Sequence, residues 1–190
     1  MPRPDPERRR PPGQHLTTKW PVLHEGRPLA FDPATWRLRV HGAVERPREL
    51  RWDEVLALPQ VALVADFHCV TTWSRLDMPF KGVRMTEVAA LVGVLPECRF
   101  VRMADHQGYD TSVPLEVALD DDVLLALEAD GAPLSPEHGG PLRSIIPKRY
   151  GWKSCKWLVE LEFLREDRLG YWEQRGYSNS ADPWREERFG

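Results

Sequence analysis

Alternation with a period of two is the clearest pattern along the chain. Trp36-Arg37-Leu38-Arg39-Val40 alternates apolar and charged positions, and Trp157 to Leu164 sets Val159, Leu161 and Phe163 against Glu160 and Glu162. Successive side chains on a strand point to opposite faces, so both segments predict half-buried strands. Val61-Ala62-Leu63-Val64-Ala65 is a short apolar run that predicts a buried strand, and Arg99-Phe100-Val101-Arg102-Met103 predicts another. Val123-Leu124-Leu125-Ala126-Leu127 and Leu142-Arg143-Ser144-Ile145-Ile146 flank Asp130-Gly131 and a loop rich in Gly and Pro. Helices are signalled by their ends. Asp53 is placed to cap a helix that Pro59 stops, Thr86 one that runs through Val88, Ala89, Leu91 and Val92 to Gly93, and Pro114 opens one reaching Leu119. Strands and helices interleave without the regular spacing of βαβ units, so the predicted class is α+β, a mixed-sheet domain and not a doubly wound parallel sheet.

The ends of the chain differ from its middle. Residues 1–19 are rich in Pro and Arg and predict an irregular arm, with Arg8, Arg9 and Arg10 in solvent. Residues 20–190 fit one domain, since a domain typically holds roughly 100–150 residues. Its tail, from about residue 166, carries Tyr171, Trp172, Tyr177 and Trp184. Disordered tails are poor in aromatics, so this one is expected to wrap over the surface.

Charge and cysteine content narrow the function. A formal net charge of −3 argues against a nucleic-acid binder, which usually carries a basic field. No apolar run is long enough to span a bilayer, and no hydrophobic segment follows the basic N-terminal residues as in a secretory signal. The three cysteines, Cys69, Cys98 and Cys155, are odd in number and widely spaced. They form no disulfide framework and no C-x-x-C metal knuckle. The expected compartment is the cytoplasm.

Two segments carry candidate chemistry. Cys69 closes the run VALVADFHC and is followed by Val70-Thr71-Thr72-Trp73-Ser74. A cysteine there is either a packed thiol or, at an exposed strand end, a soft-metal ligand or a nucleophile assisted by His68. The second segment runs through His138-Gly139-Gly140-Pro141-Leu142-Arg143 to Tyr150-Gly151-Trp152-Lys153-Ser154-Cys155-Lys156-Trp157-Leu158. Its glycines permit close backbone approach, and its cations suit a phosphate or, alternatively, a solvated basic loop. No G-x-G-x-x-G follows a predicted strand, and no G-x-x-x-x-G-K-[ST] is present.

Taken together, Cys69 with Trp73-Ser74, HGGPLRSIIP (138–147) and YGWKSCKWL (150–158) resemble the molybdopterin-binding domain of the sulfite oxidase family and its bacterial relative, the methionine-sulfoxide reductase catalytic subunit. The ends of the chain are most similar to short stand-alone bacterial members. The resemblance implies a Mo-molybdopterin cofactor, with a tungsten analogue admitted, and Cys69 as the catalytic thiolate on the metal. It implies that Leu23, His24, Glu25, Asp105, His138, Arg143, Lys153, Ser154, Cys155 and Lys156 contact the cofactor, with Cys155 better read as a backbone contact or packed thiol than as a metal ligand. The implied reaction is oxygen-atom transfer with a small oxo donor or acceptor. The sequence departs from the sulfite oxidases at two places. Where they carry Arg-Asn-His, this chain has Val22-Leu23-His24, and after the ligand cysteine it has Val-Thr-Thr-Trp in place of Gly-Asn-Arg-Arg. An anionic substrate loses cationic partners unless Arg75, Arg84 or Arg149 replaces them, so a sulfoxide or an N-oxide is at least as well suited as sulfite. No haem or dimerisation domain is expected within the chain, which implies a separate electron-transfer partner and a monomer. The competing reading is a non-catalytic molybdopterin-binding or carrier module of the same fold.

Overall fold

The period-two segments become neighbouring central strands of one sheet in a computed structural model that describes residues 5–190; the first four residues of the predicted arm lie outside the described part. In chain order the elements are β1 (His15–Leu16), β2 (Arg37–Gly42), β3 (Arg48–Arg51), α1 (Trp52–Ala57), β4 (Gln60–His68), β5 (Trp73–Arg84), α2 (Met85–Val92), β6 (Phe100–Asp105), β7 (Asp110–Pro114), α3 (Leu115–Ala118), β8 (Leu124–Ala129), β9 (Ala132–Pro133), β10 (Arg143–Ile145) and β11 (Leu158–Leu164). One sheet has five strands in the order β3-β2-β11-β6-β7, with β11 parallel to β2 and antiparallel to β6. The other has six strands along the path β1-β5-β8-β10, with β4 paired to β5 and β9 to β8. The domain is a mixed, β-rich, two-sheet structure with few helices. Among the described residues no helix is long and apolar enough to cross a membrane.

Alternation explains the core. Leu38 and Val40 of β2, Leu161 and Phe163 of β11, and Val101 and Met103 of β6 join Met85, Val88 and Val92 of α2 in one buried cluster. The charged partners of those strands face outward, where Arg102 meets Glu160 at 2.8 Å and Glu162 at 3.2 Å. A second cluster lies around β4, β5, β8 and β10 and contains Phe67, Cys69, Trp73 and Phe80.

Three local expectations shift. Arg51 occupies the N-cap of α1 and Asp53 lies inside the first turn, because the Glu54 carboxylate accepts the Arg51 N–H at 2.8 Å. Arg84, still extended at the end of β5, precedes α2 where Thr86 was expected to cap. Pro114 stands at the N-cap of α3. The longest strand, β5, was hidden by Pro79 and Gly82. Gly82 is needed there, since a Cβ would stand 2.1 Å from the Leu125 carbonyl oxygen across the sheet.

The two ends are held by charge and aromatic packing. Arg8 and Arg10 are exposed, as the arm's composition suggests, but Arg9 is buried. Its guanidinium makes two bonds to Asp77, at 2.8 and 2.6 Å, and lies 3.5 Å from Asp66. These carboxylates sit where the pairing of β4 with β5 slips register. In the tail, Tyr177 packs on Trp152 and Trp172 at 5.2 and 5.0 Å between ring centroids. Glu173 is buried, and its Oε1 receives Lys153 Nζ at 2.6 Å, Thr111 Oγ1 at 3.0 Å and Trp152 Nε1 at 3.1 Å. Glu173→Gln keeps the shape but strands the buried ammonium, so the expected loss is about 3–5 kcal/mol of stability. Urea denaturation checks this, and adding Lys153→Met is expected to restore most of the loss.

Candidate functional site

β4 ends at His68, and the chain turns through Cys69 before β5 begins at Trp73. The Cys69 N–H donates to the Trp73 carbonyl at 2.9 Å and the Thr72 N–H to the Cys69 carbonyl at 3.1 Å. Thr72 takes a left-handed φ of 72° to close the turn, a conformation that β-branched residues adopt only under strong local constraint. The Cys69 thiol lies 3.1 Å from the Thr71 hydroxyl, and burial pushes its pKa up. His68 is bonded elsewhere: its Nδ1 is 2.8 Å from Ser74 Oγ, and burial pulls its pKa down to about 4. The thiol's polar partner is Thr71 and the imidazole's is Ser74, so a cofactor-free Cys–His nucleophile finds no support.

Cys69, Val70 and Thr71 form one wall of a cavity of about 370 Å³. Arg143, Ser154 and Lys156 line it, as do Asp105 and the segment containing Leu23, His24 and Glu25. Arg143 opens β10 and is 1% exposed. Its guanidinium lies 5.3 Å from the Trp20 ring and 5.5 Å from the Phe67 ring. It donates to the carbonyls of His138 at 2.8 Å, Ser154 at 3.0 Å and Ser144 at 3.3 Å. Lys156 Nζ donates to the Glu137 carbonyl at 2.6 Å. Burial lowers the Arg143 pKa to about 10; burial, followed by the field of Arg143, lowers that of Lys156 to about 7. Both cations bond only to backbone carbonyls among the described residues. A buried charge is costly without a counter-charge, so the pair is arranged for an anion that enters the cavity. One thiol for a soft metal and two cations with no carboxylate partner fit a metal-bearing pterin dithiolene and its phosphate. Close packing makes the cradle. Gly139, at φ 98°, lets the Lys156 chain pass where a Cβ would stand 2.8 Å from it, and Gly151 lies where a Cβ would be 2.6 Å from the Phe67 ring.

Of the positions expected from sequence, Leu23, His24, Glu25, Cys69, Asp105, Arg143, Ser154 and Lys156 come together around this cavity. Asp105 also orders the β6–β7 hairpin, its Oδ1 accepting the N–H of Gln107 at 2.7 Å and of Tyr109 at 2.9 Å. Ser154 Oγ is committed to the Ile146 N–H at 3.0 Å. Three positions fall outside the lining. Lys153 is fully buried and points to Glu173, because the tail supplies a carboxylate there. Cys155 is a packed thiol in the main core, its sulfur donating to the Lys156 carbonyl at 3.3 Å. His138 backs the site: its ring stacks on Trp20 at 4.1 Å and its Nε2 is 3.0 Å from the Trp20 carbonyl. Sequence reasoning missed the aromatic walls, including Trp20, Tyr109, Trp157, Trp172 and Tyr177. The unusual count of eight Trp was the available signal, but it does not separate a wall from a core.

Residues 24–172 match the family model described as the oxidoreductase molybdopterin binding domain. The chain is 43% identical to the uncharacterized oxidoreductase YuiH of Bacillus subtilis (strain 168), over 94% of this chain and 91% of that protein. It is 33% identical to the putative protein-methionine-sulfoxide reductase subunit YedZ1 of Azospira oryzae, over 77% of this chain and 56% of that one. It is 26% identical to the protein-methionine-sulfoxide reductase catalytic subunit MsrP of Campylobacter jejuni, over 75% and 54%. The chain thus spans nearly all of the first relative and about half of the other two. Its fold is similar to the sulfane dehydrogenase SoxCD from Paracoccus pantotrophus, with a TM-score of 0.65 and 26% identity over 73% of this chain and 40% of that one.

The lowered pKa of Lys156 sets a pH dependence. The unfolded lysine titrates at its ordinary 10.5 and the folded one at about 7, so between these values the unfolded chain binds more protons and folding stability rises with pH. In cofactor-free protein, Lys156→Met is expected to flatten that rise. Denaturant titrations at about pH 7 and pH 9 check it.

Proposed function

The chain belongs to the oxidoreductase molybdopterin-binding domain family, that of the sulfite oxidases, and from that membership we propose that its cavity carries out oxygen-atom transfer on a small neutral substrate such as a sulfoxide or an N-oxide. It is a molybdopterin-dependent oxidoreductase, and Mo-molybdopterin is the family's cofactor; nothing in the donor set selects tungsten. When bound, the cofactor supplies the two-electron oxygen-atom exchange. The chain's own residues bind and shield. Cys69 offers the thiolate, Arg143 and Lys156 offer the counter-charge for the anionic tail, and the glycines at 139 and 151 let the chain close around it.

The observation that carries the substrate reading is where the arginines are. Arg75, a candidate for binding an anionic substrate, is locked to Asp130 by two bonds of 2.6 and 2.7 Å. Arg84 Nη1 donates to the Asp121 carbonyl at 2.5 Å, and Arg149 Nη1 to the Lys148 carbonyl at 3.0 Å. None of the three is in the lining, whose cations are Arg143 and Lys156. With those two serving the cofactor, aromatic rings are prominent in the rest of the lining, Trp73, Trp152 and Trp172 among them, and its remaining acidic groups are Glu25 and Asp105. Such a surface excludes water and favours a neutral or weakly polar guest. Electrons come from a separate partner; the relatives from Azospira oryzae and Campylobacter jejuni carry the word subunit in their names.

Steady-state turnover of a sulfoxide and an N-oxide, compared with sulfite oxidation by the same holoenzyme, tests the substrate class. Faster sulfite turnover would overturn it. Cys69→Ser is expected to abolish turnover and any thiolate-to-metal charge-transfer band while leaving bound pterin, and full activity in this variant would refute the ligand role. Arg143→Ala or Lys156→Ala is expected to weaken cofactor binding by about 2–5 kcal/mol, read as lowered molybdenum content of purified protein.

A further inference from the structure

The span matching the family model, residues 24–172, leaves out the first part of the chain and the last, and both return to the turn that carries Cys69. Gln14 is buried, 3% exposed. Its Nε2 donates to the Cys69 carbonyl at 3.1 Å, and its Oε1 accepts from Ser74 Oγ at 3.4 Å. The His15 N–H donates to the Thr72 carbonyl at 2.8 Å and the Thr17 N–H to the Ser74 carbonyl at 3.0 Å. From the other end of the chain, Arg188 Nε donates to the Val70 carbonyl and its Nη2 to the Gly13 carbonyl, both at 3.4 Å. The guanidinium lies 5.3 Å from the Tyr150 ring, and the Ser178 N–H holds the Arg188 carbonyl at 3.1 Å.

Four carbonyls of the turn and the start of β5, at 69, 70, 72 and 74, are therefore capped by groups from the two ends. Buried carbonyls need partners. The Gln14 bond fixes the peptide plane that follows Cys69, the Cys69 N–H bond to the Trp73 carbonyl fixes the plane before it, and the Arg188 bond fixes the next plane along; the first two together set the direction of the Cys69 Cα–Cβ bond. The strained φ of Thr72 is the kind of conformation that persists only when its surroundings over-determine it. We propose that Gln14 and Arg188 are positioning residues for Cys69, the arm and tail forming a clasp that aims its sulfur at the metal. The proposal rests on Cys69 being the thiolate ligand.

Gln14→Ala and Arg188→Ala test it in holoenzyme from a host that makes molybdopterin. Gln14→Glu adds an isosteric variant in which the donor nitrogen becomes an acceptor oxygen. Arg185→Ala is the control, an exposed residue of the same tail paired with Glu187. With molybdenum and pterin content unchanged, the thiolate-to-metal charge-transfer band is expected to shift and weaken in the Gln14 and Arg188 variants. In the same variants kcat falls about ten- to hundredfold while KM holds, and the control matches the wild type in band and kcat. Should one variant fail to fold, the other two carry the test. A band and a kcat per bound metal equal to wild type in both Gln14→Glu and Arg188→Ala, with only the denaturation midpoint lowered, overturn the clasp. Activity that falls only in proportion to metal content overturns it too. A wild-type holoenzyme without such a band overturns the ligand reading itself, and the clasp with it.

Discussion

Arg143 carries its charge to a position 1% exposed, between two aromatic rings and against three backbone carbonyls. Carbonyl dipoles reduce the cost of such burial without cancelling the charge, and Lys156 adds a second cation beside it. Much of the surrounding structure serves this arrangement. The loop between β9 and β10 bends so that the His138 carbonyl faces the guanidinium, and the Ser154 peptide turns back to present its own. Trp20 is held over the fork by the His138 ring. The two cations are held in place by carbonyls and rings before any ligand arrives, which is how preorganised sites avoid reorganising when they bind.

The thiol meets those cations across the same cavity although its position along the chain is far from theirs. Strand β4 brings Cys69 to the sheet's end, and the tight turn ahead of β5 takes it out of the pleat. Burial without metal disfavours the thiolate, whereas metal coordination deprotonates a thiol outright. The aromatic walls lower the local dielectric and strengthen each of these interactions. Among the lining residues Arg143 and Lys156 are the Arg and Lys side chains that face the cavity.

The arm and tail extend this logic beyond the family span. Arg9 ties the arm to Asp66 and Asp77 at the register slip of β4 and β5. Glu173 ties the tail to Lys153 and Trp152. Each is a charge held by specific partners in a buried or half-buried setting, and each lies next to an element that lines the cavity. The described residues of the arm and tail are integrated with the site.

What the sequence determined was local or carried by family resemblance. Alternation at 36–40 and 157–164 located β2 and β11, because the period of two is imposed by the strand whatever it packs against. The resemblance of Cys69, HGGPLR and GWKSCKW to the motifs of the sulfite oxidase family implied the cofactor class. Tertiary structure alone decided which of those residues face the cavity. Lys153 and Lys156 are three positions apart in one basic segment, yet Lys153 turns to Glu173, twenty residues on, and Lys156 to the site. It also decided that Arg9 is buried while Arg8 and Arg10 are not, and that the Trp residues divide between core and wall. The physical reason is common to all of these. A buried charge or ring is placed by partners distant along the chain, and local pattern holds no record of which distant carboxylate, carbonyl or ring will be there to meet it.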